Sequence, residues 1–221
     1  ARSDIFRNPL IARVLTFLKL IPIYRIRDGY DSLQQNERIL KKVSEVLSNN
    51  HSLVIFRERN HAPERRLRPL KKGICRIAFQ AEERNGFGLG LQIVPVGLDY
   101  DNFYKFQHNL VIRFGKPIQV DDFEELYREN PSKAHIALKK EISVELKKLM
   151  IHIDDKEHHD LINHLRELYG SGMAQHLNGQ VSSRPGRQEA EQRLIRLCEN
   201  KIADDPGRAR VLDHQVKLFN R

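Results

Sequence analysis

Arg57, Glu58, Arg59 and Asn60 stand directly behind the apolar run SLVIF at 52–56. From Arg57 to Arg76 there are eight Lys or Arg against two Glu. Guanidinium forks match phosphate oxygens, so the five arginines before Pro69 are suited to recognising an anion. Pro63 and Pro69 fix φ and reduce the entropy that this tract would lose on binding. A charge run is usually a solvated surface. Here the tract follows a strand-like run, where α/β folds place their ligand loops. Arg25 ends a second short apolar run, LIPIY at 20–24, and two strand ends can share one anion if their strands are neighbours.

Other candidate chemistry is weaker. GFGLG at 86–90 resembles a nucleotide loop, but it precedes a strand-like run, whereas the dinucleotide fingerprint follows a strand and opens a helix. HIDDKEHHD at 152–160 is rich in metal-ligating types, yet His159 and His164 are five apart and do not share a helix face. No G-x-S-x-G is present, and Cys75 and Cys198 lie far apart with no CxxC, which points away from a disulfide framework or zinc site.

The elements that must position these residues follow from periodicity. Asn8-Pro9 opens a helix with Leu10, Val14, Phe17 and Leu18 on one side. LIPIY predicts a strand, 31–47 an amphipathic helix ended by Asn49-Asn50, 52–56 a strand, and 70–83 a helix. LQIVPVGLDY and NLVIRFGKPI predict β-structure. After Val120 the chain becomes helical and heavily charged at 123–127, 132–150 and 156–169. GSGM and NGQVSSRPGR read as breaks, and helices follow at 188–202 and 208–219. This order predicts an α/β fold, a central mixed sheet flanked by helices, followed by a helical C-terminal extension. The expected division is an α/β domain over 1–120, a helical continuation over 121–172, and a linker with C-terminal helices over 173–221.

The chain has 221 residues, 40% apolar and 30% charged, with a net charge of +9. The apolar stretch 10–23 is interrupted by Arg13 and Lys19 and is too short to cross a bilayer. The positive balance favours nucleic acid, acidic lipid or phosphorylated substrates. Nucleic acid is disfavoured, because aromatics make up 7% of residues, Trp is absent and the basic tract has no interleaved rings for base stacking.

Four segments in order resemble the bacterial-type 1-acyl-glycerol-3-phosphate acyltransferases of the glycerophospholipid acyltransferase family. ARSDIFRNPLIARVL is similar to the stretch after the family's first motif. IPIYR resembles the second motif, ending in Arg25. IFRERN stands at the third, Phe-Pro-Glu-Gly, followed by RLRPLKKG with Lys71 and Gly73. IVPVGL, with Pro95, resembles the fourth. The resemblance implies the fold above. It also implies acyl transfer from acyl-CoA or acyl carrier protein to the free hydroxyl of lysophosphatidate, without a cofactor or metal. Arg25, Arg57, Glu58, Arg59, Asn60 and Lys71 would hold the acceptor.

A histidine base oriented by an aspartate five positions later is also implied. No His of this chain has Asp there; His152, followed by Glu157, comes nearest. The base is therefore expected ahead of Ala1, and residues 1–221 alone are expected to be inactive. In the third motif only Phe56 and Glu58 fit, with Arg57 in place of Pro and Arg59 in place of Gly. The implied location is the cytoplasmic face of the cell membrane, held by anionic lipid or an upstream anchor. The alternatives are a non-catalytic phospholipid-binding protein on the same fold and, further off, a nucleic-acid module.

Overall fold

The computed structural model describes residues 5–6, 8–22, 31–56, 65–100, 110–178 and 184–219. Helix α1, Pro9–Phe17, starts where the sequence places it: Pro9 needs no hydrogen-bond acceptor, and the Asn8 side chain accepts from Leu10 N–H at 3.0 Å. Helix α2, Asp31–Ser48, ends before Asn50, which takes φ +57°, a left-handed turn that Asn tolerates. Helix α3 is Gly73–Arg84. The loop behind it needs positive φ at Gly86, Phe87 and Gly90. It is pinned by the fully buried Glu82, whose carboxylate accepts from Leu89 N–H at 3.2 Å and Leu91 N–H at 2.5 Å. GFGLG is thus a turn organised from within.

Strands β1 (Gln92–Ile93), β2 (Val96–Tyr100), β3 (Leu110–Phe114) and β4 (Ile118–Gln119) form two two-stranded sheets, β1 with β4 and β2 with β3. A 3₁₀ turn at Asp121–Phe123 leads to α4 (Glu124–Glu129), α5 (Pro131–Lys148), α6 (His159–Asn178), α7 (Arg184–Asp204) and α8 (Pro206–Phe219). The architecture is mixed α/β, mostly helical with little sheet and a helical C-terminal part.

The chain divides into two compact units. One comprises 1–56, 71–93 and 119–139. There Val43 and Leu47 of α2 pack on Ala81 of α3, with Ile77 and Leu91 beside them. The other comprises 57–70, 94–118 and 140–221. Its core gathers Ile151, Ile153, Ile162 and Ile195 between α6 and α7. Its β2–β3 pair is antiparallel with Leu98 opposite Ile112. Gly97 is required there, since a Cβ would lie 2.5 Å from the Leu149 carbonyl oxygen.

Four expectations fail. Residues 52–56 are not a strand; Val54 and Phe56 are 75% and 78% exposed. Strand propensity becomes structure only where a neighbour supplies the ladder, and among the described residues none pairs with this run. Residues 20–22 likewise belong to no strand, and the rest of LIPIY lies outside the described residues. GSGM does not break α6, because Gly170 serves helix packing: a Cβ there would meet Glu191 Cγ of α7 at 2.9 Å. The Arg-Pro-Gly-Arg end of the expected linker opens α7, where Pro is tolerated in a first turn.

Candidate anion-binding site

Arg25, Arg57, Glu58, Arg59 and Asn60 lie outside the described residues. Lys71 is described and exposed, two residues ahead of α3. The N-cap of α3 is Lys72, with no side-chain hydrogen bond to the first turn and no acidic residue within it. Helix starts ordinarily carry Ser, Thr, Asp or Asn, because their N–H groups lack intrahelical acceptors and the macrodipole is positive there. Lys71, Lys72 and Arg76 add positive charge at the end where it stabilises least. Such an arrangement suits an anion, which the first-turn N–H groups and the lysines would meet together. Gly73 leaves the approach open, with nothing within 4 Å of where a Cβ would stand.

The field of this cluster is felt at His135 on α5. Burial lowers its pKa first, and Lys72 and Arg76 lower it further. Its ring lies edge-on to Phe79 at 5.0 Å and Tyr127 at 5.9 Å, and its buried Nδ1 has no hydrogen-bond partner. Sequence reading counts Lys72 and Arg76 only as part of a basic tract and passes over His135. The missed signal is the position of the charges: basic residues opening a helix, where acidic ones belong.

The earlier part of the tract is built into the second unit. Arg65 O accepts from Ile153 N–H at 3.0 Å, and His152 Nδ1 accepts from Leu67 N–H at 2.8 Å. Burial, then the neighbouring Arg166, lowers the Arg65 pKa, while Asp99 at 4.0 Å opposes this. Arg65 therefore serves the fold as well as the surface.

The histidine-rich segment is also structural. Because Nδ1 of His152 accepts, its Nε2 carries the proton and donates to Asp154 Oδ1 at 3.0 Å. Asp154 is held in turn by Lys147 Nζ at 2.6 Å. His158 Nδ1 lies 2.8 Å from Asp155 Oδ2. Among the described residues no group of three or more His, Cys, Asp or Glu is arranged to hold a metal. Burial pushes Cys75 up to about 11 and raises Cys198, so neither is an activated thiolate.

His152 predicts a pH response. Burial holds its pKa below the ordinary 6.5, with Asp154 opposing. A histidine whose folded pKa is depressed binds fewer protons when folded. Its contribution to stability is complete above the unfolded value and is lost as pH falls through that value toward the folded pKa. Protonation would also remove the acceptor for Leu67 N–H. The melting temperature is expected to fall between about pH 7.5 and about pH 5.5, and by less in His152→Gln. His135 adds to the same trend. An undiminished fall in the variant would contradict this assignment.

Residues 1–99 match the family model described as Acyltransferase. The matched stretch contains Arg25, the 57–60 segment, Lys71 and all of α3. Glycerol-3-phosphate O-acyltransferase 1 of Saccharomyces cerevisiae (strain ATCC 204508 / S288c) is 28% identical over 134 residues. That alignment covers 59% of this chain and 18% of the yeast protein, so the chain spans under a fifth of that relative. No solved structure matches the chain.

Proposed function

We propose that this chain is part of a glycerolipid acyltransferase that moves an acyl group from a thioester to the hydroxyl of a phosphorylated glycerol. The observation that carries this reading is the cationic, uncapped start of α3 within acyltransferase-family sequence. Lys71 and Lys72 would meet the acceptor phosphate at the helix N–H groups, and Arg25 with Arg57, Glu58, Arg59 and Asn60 is assigned to the same acceptor by sequence order. The acceptor oxygen attacks the thioester carbonyl, the C–S bond breaks, and the thiol of CoA or acyl carrier protein leaves with the hydroxyl proton. Lysophosphatidate is the acceptor implied by the motifs. Glycerol 3-phosphate is a second reading, favoured by the acceptor in the yeast relative's name. The enzyme would work at the cytoplasmic surface of a membrane.

The base is the element missing from residues 1–221. No His has Asp five positions on, and His152 has both ring nitrogens engaged. Positioned proton removal contributes roughly 10²–10⁴-fold. The test is thiol release from acyl-CoA with lysophosphatidate, glycerol 3-phosphate or glycerol. Residues 1–221 alone are expected to give none above background. The same residues preceded by a His-x4-Asp segment are expected to release thiol only with a phosphorylated acceptor. Turnover by residues 1–221 alone would overturn the base assignment. Equal rates with plain glycerol would overturn the acceptor class, and the preferred phosphorylated acceptor decides between the two readings.

A further inference from the structure

Phe87 holds a backbone conformation that a bulky side chain rarely takes. Its φ is +59°, directly after Gly86 at +63°. Glycine adopts this region freely and Asn tolerates it, whereas an aromatic residue there is an outlier. The backbone contact it makes, Phe87 N–H donating to Glu82 O at 2.8 Å, is open to any residue but proline. The reason for a phenylalanine lies in its ring. That ring lines an open cleft of about 430 Å³, together with Glu83, Gly86, Tyr127, Arg128 and Pro131. The Phe87 and Tyr127 rings meet at 5.7 Å with a tilt of 54°, and Tyr127 is itself stacked on the fully buried Phe79 at 4.5 Å.

The charges of the cleft select a cation. Glu83 Oε2 accepts from Tyr127 O–H at 3.3 Å, and among the described residues Glu83 has no Lys, Arg or His as an ion-pair partner. The last carbonyls of α3 bring the negative end of its macrodipole to the same side. Arg128 shows what the site accepts: its guanidinium carbon lies 5.6 Å from the centre of the Phe87 ring. Its Nε and Nη2 both bind Glu124 Oε1, at 2.7 and 2.6 Å, so Glu124 cancels its charge and that of Glu83 stays uncompensated. The Arg128 side chain is 64% exposed and can leave the ring with little loss of packing. We propose that this cleft binds a small quaternary ammonium ion of the choline type, over the face of Phe87 that Arg128 covers and beside Glu83. A quaternary ammonium donates no hydrogen bond, and aromatic faces are what recognise it. A primary ammonium or a guanidinium would need several acceptors, and the lining side chains offer one carboxylate. The proposal goes beyond the transfer reaction. Glu83 stands ten residues, or roughly 15 Å, along α3 from Gly73, away from the lysines at its start.

Choline is titrated into residues 1–221 and followed by saturation-transfer NMR. Beside it are run 3,3-dimethylbutanol, its neutral isostere, and glycerophosphocholine, in which the same cation is esterified. Choline or its ester is expected to bind at least about fivefold more tightly than the isostere, and the tighter of the two identifies the source of the cation. Phe87→Asn should weaken that binding at least about fivefold while the melting temperature holds or rises, because Asn suits positive φ. Arg128→Ala should tighten it, because the ring face is vacated; an Arg128 that only supports the fold would not produce this. Glycerol 3-phosphate, titrated into the same samples, reports on the acceptor reading alone and should bind all three proteins equally. Equal binding of the neutral isostere, or no saturable binding of either cation, would overturn the proposal. So would unchanged affinity in Phe87→Asn, or affinity in Arg128→Ala that fails to rise.

Discussion

Glu191→Ala is expected to lower stability by about 3–5 kcal/mol, the usual cost of removing one partner from a buried ion pair. Glu191 is almost fully buried and accepts from Arg166 Nη1 at 2.8 Å and from Arg187 Nε at 3.0 Å. Arg166 is equally buried, and its other nitrogens donate to Asn163 and Glu167. Both Arg166 and Arg65 draw on the Glu191 charge; the depressed Arg65 pKa, caused by burial and then by Arg166, reflects how crowded these cations are. Alanine would leave the Arg166 guanidinium under-compensated in the interior and open the α6–α7 seam where Gly170 admits Glu191. Arg187 is half-exposed, so Arg187→Ala should cost no more than about 1 kcal/mol. Urea unfolding with unchanged m-values separates the two variants. Equal midpoints would show that Glu191 holds nothing the solvent cannot replace.

How far the fold was legible depends on how local its causes are. The start of α1 at Asn8-Pro9, the end of α2 before Asn50 and the turn of GFGLG each follow from a few neighbouring residues, and each appears where the sequence puts it. Gly170 misled because glycine has two uses, to break a helix or to let two helices approach, and only the position of Glu191 distinguishes them. The run 52–56 misled because strand propensity does not name a pairing partner. At the site, residue type was legible and arrangement was not. The basic tract reads as one patch, yet Arg65 and the Leu67 backbone are tied to 152–153, while Lys71, Lys72 and Arg76 open a helix. His135 was invisible, because its neighbours Phe79, Tyr127 and Lys72 are distant in sequence.

The second large effect concerns the site itself. Lys71→Ala with Lys72→Ala should weaken phosphate-dependent acceptor binding while leaving the fold intact, since both side chains are exposed and α3 takes no cap from either. A hydrogen bond to a charged group contributes about 1.5–3 kcal/mol, so losing even one corresponds to a tenfold or larger rise in Kd, at about 1.4 kcal/mol per tenfold. Calorimetric titration of residues 1–221 with glycerol 3-phosphate and with lysophosphatidate below its micellar range, against glycerol as the phosphate-free control, is the most direct test. The account predicts that at least one phosphorylated acceptor binds, that glycerol does not, and that the double variant loses at least about tenfold in affinity at unchanged melting temperature. Unchanged affinity in the double variant, or glycerol binding as well as its phosphate, would contradict the placement of an acceptor phosphate at the start of α3.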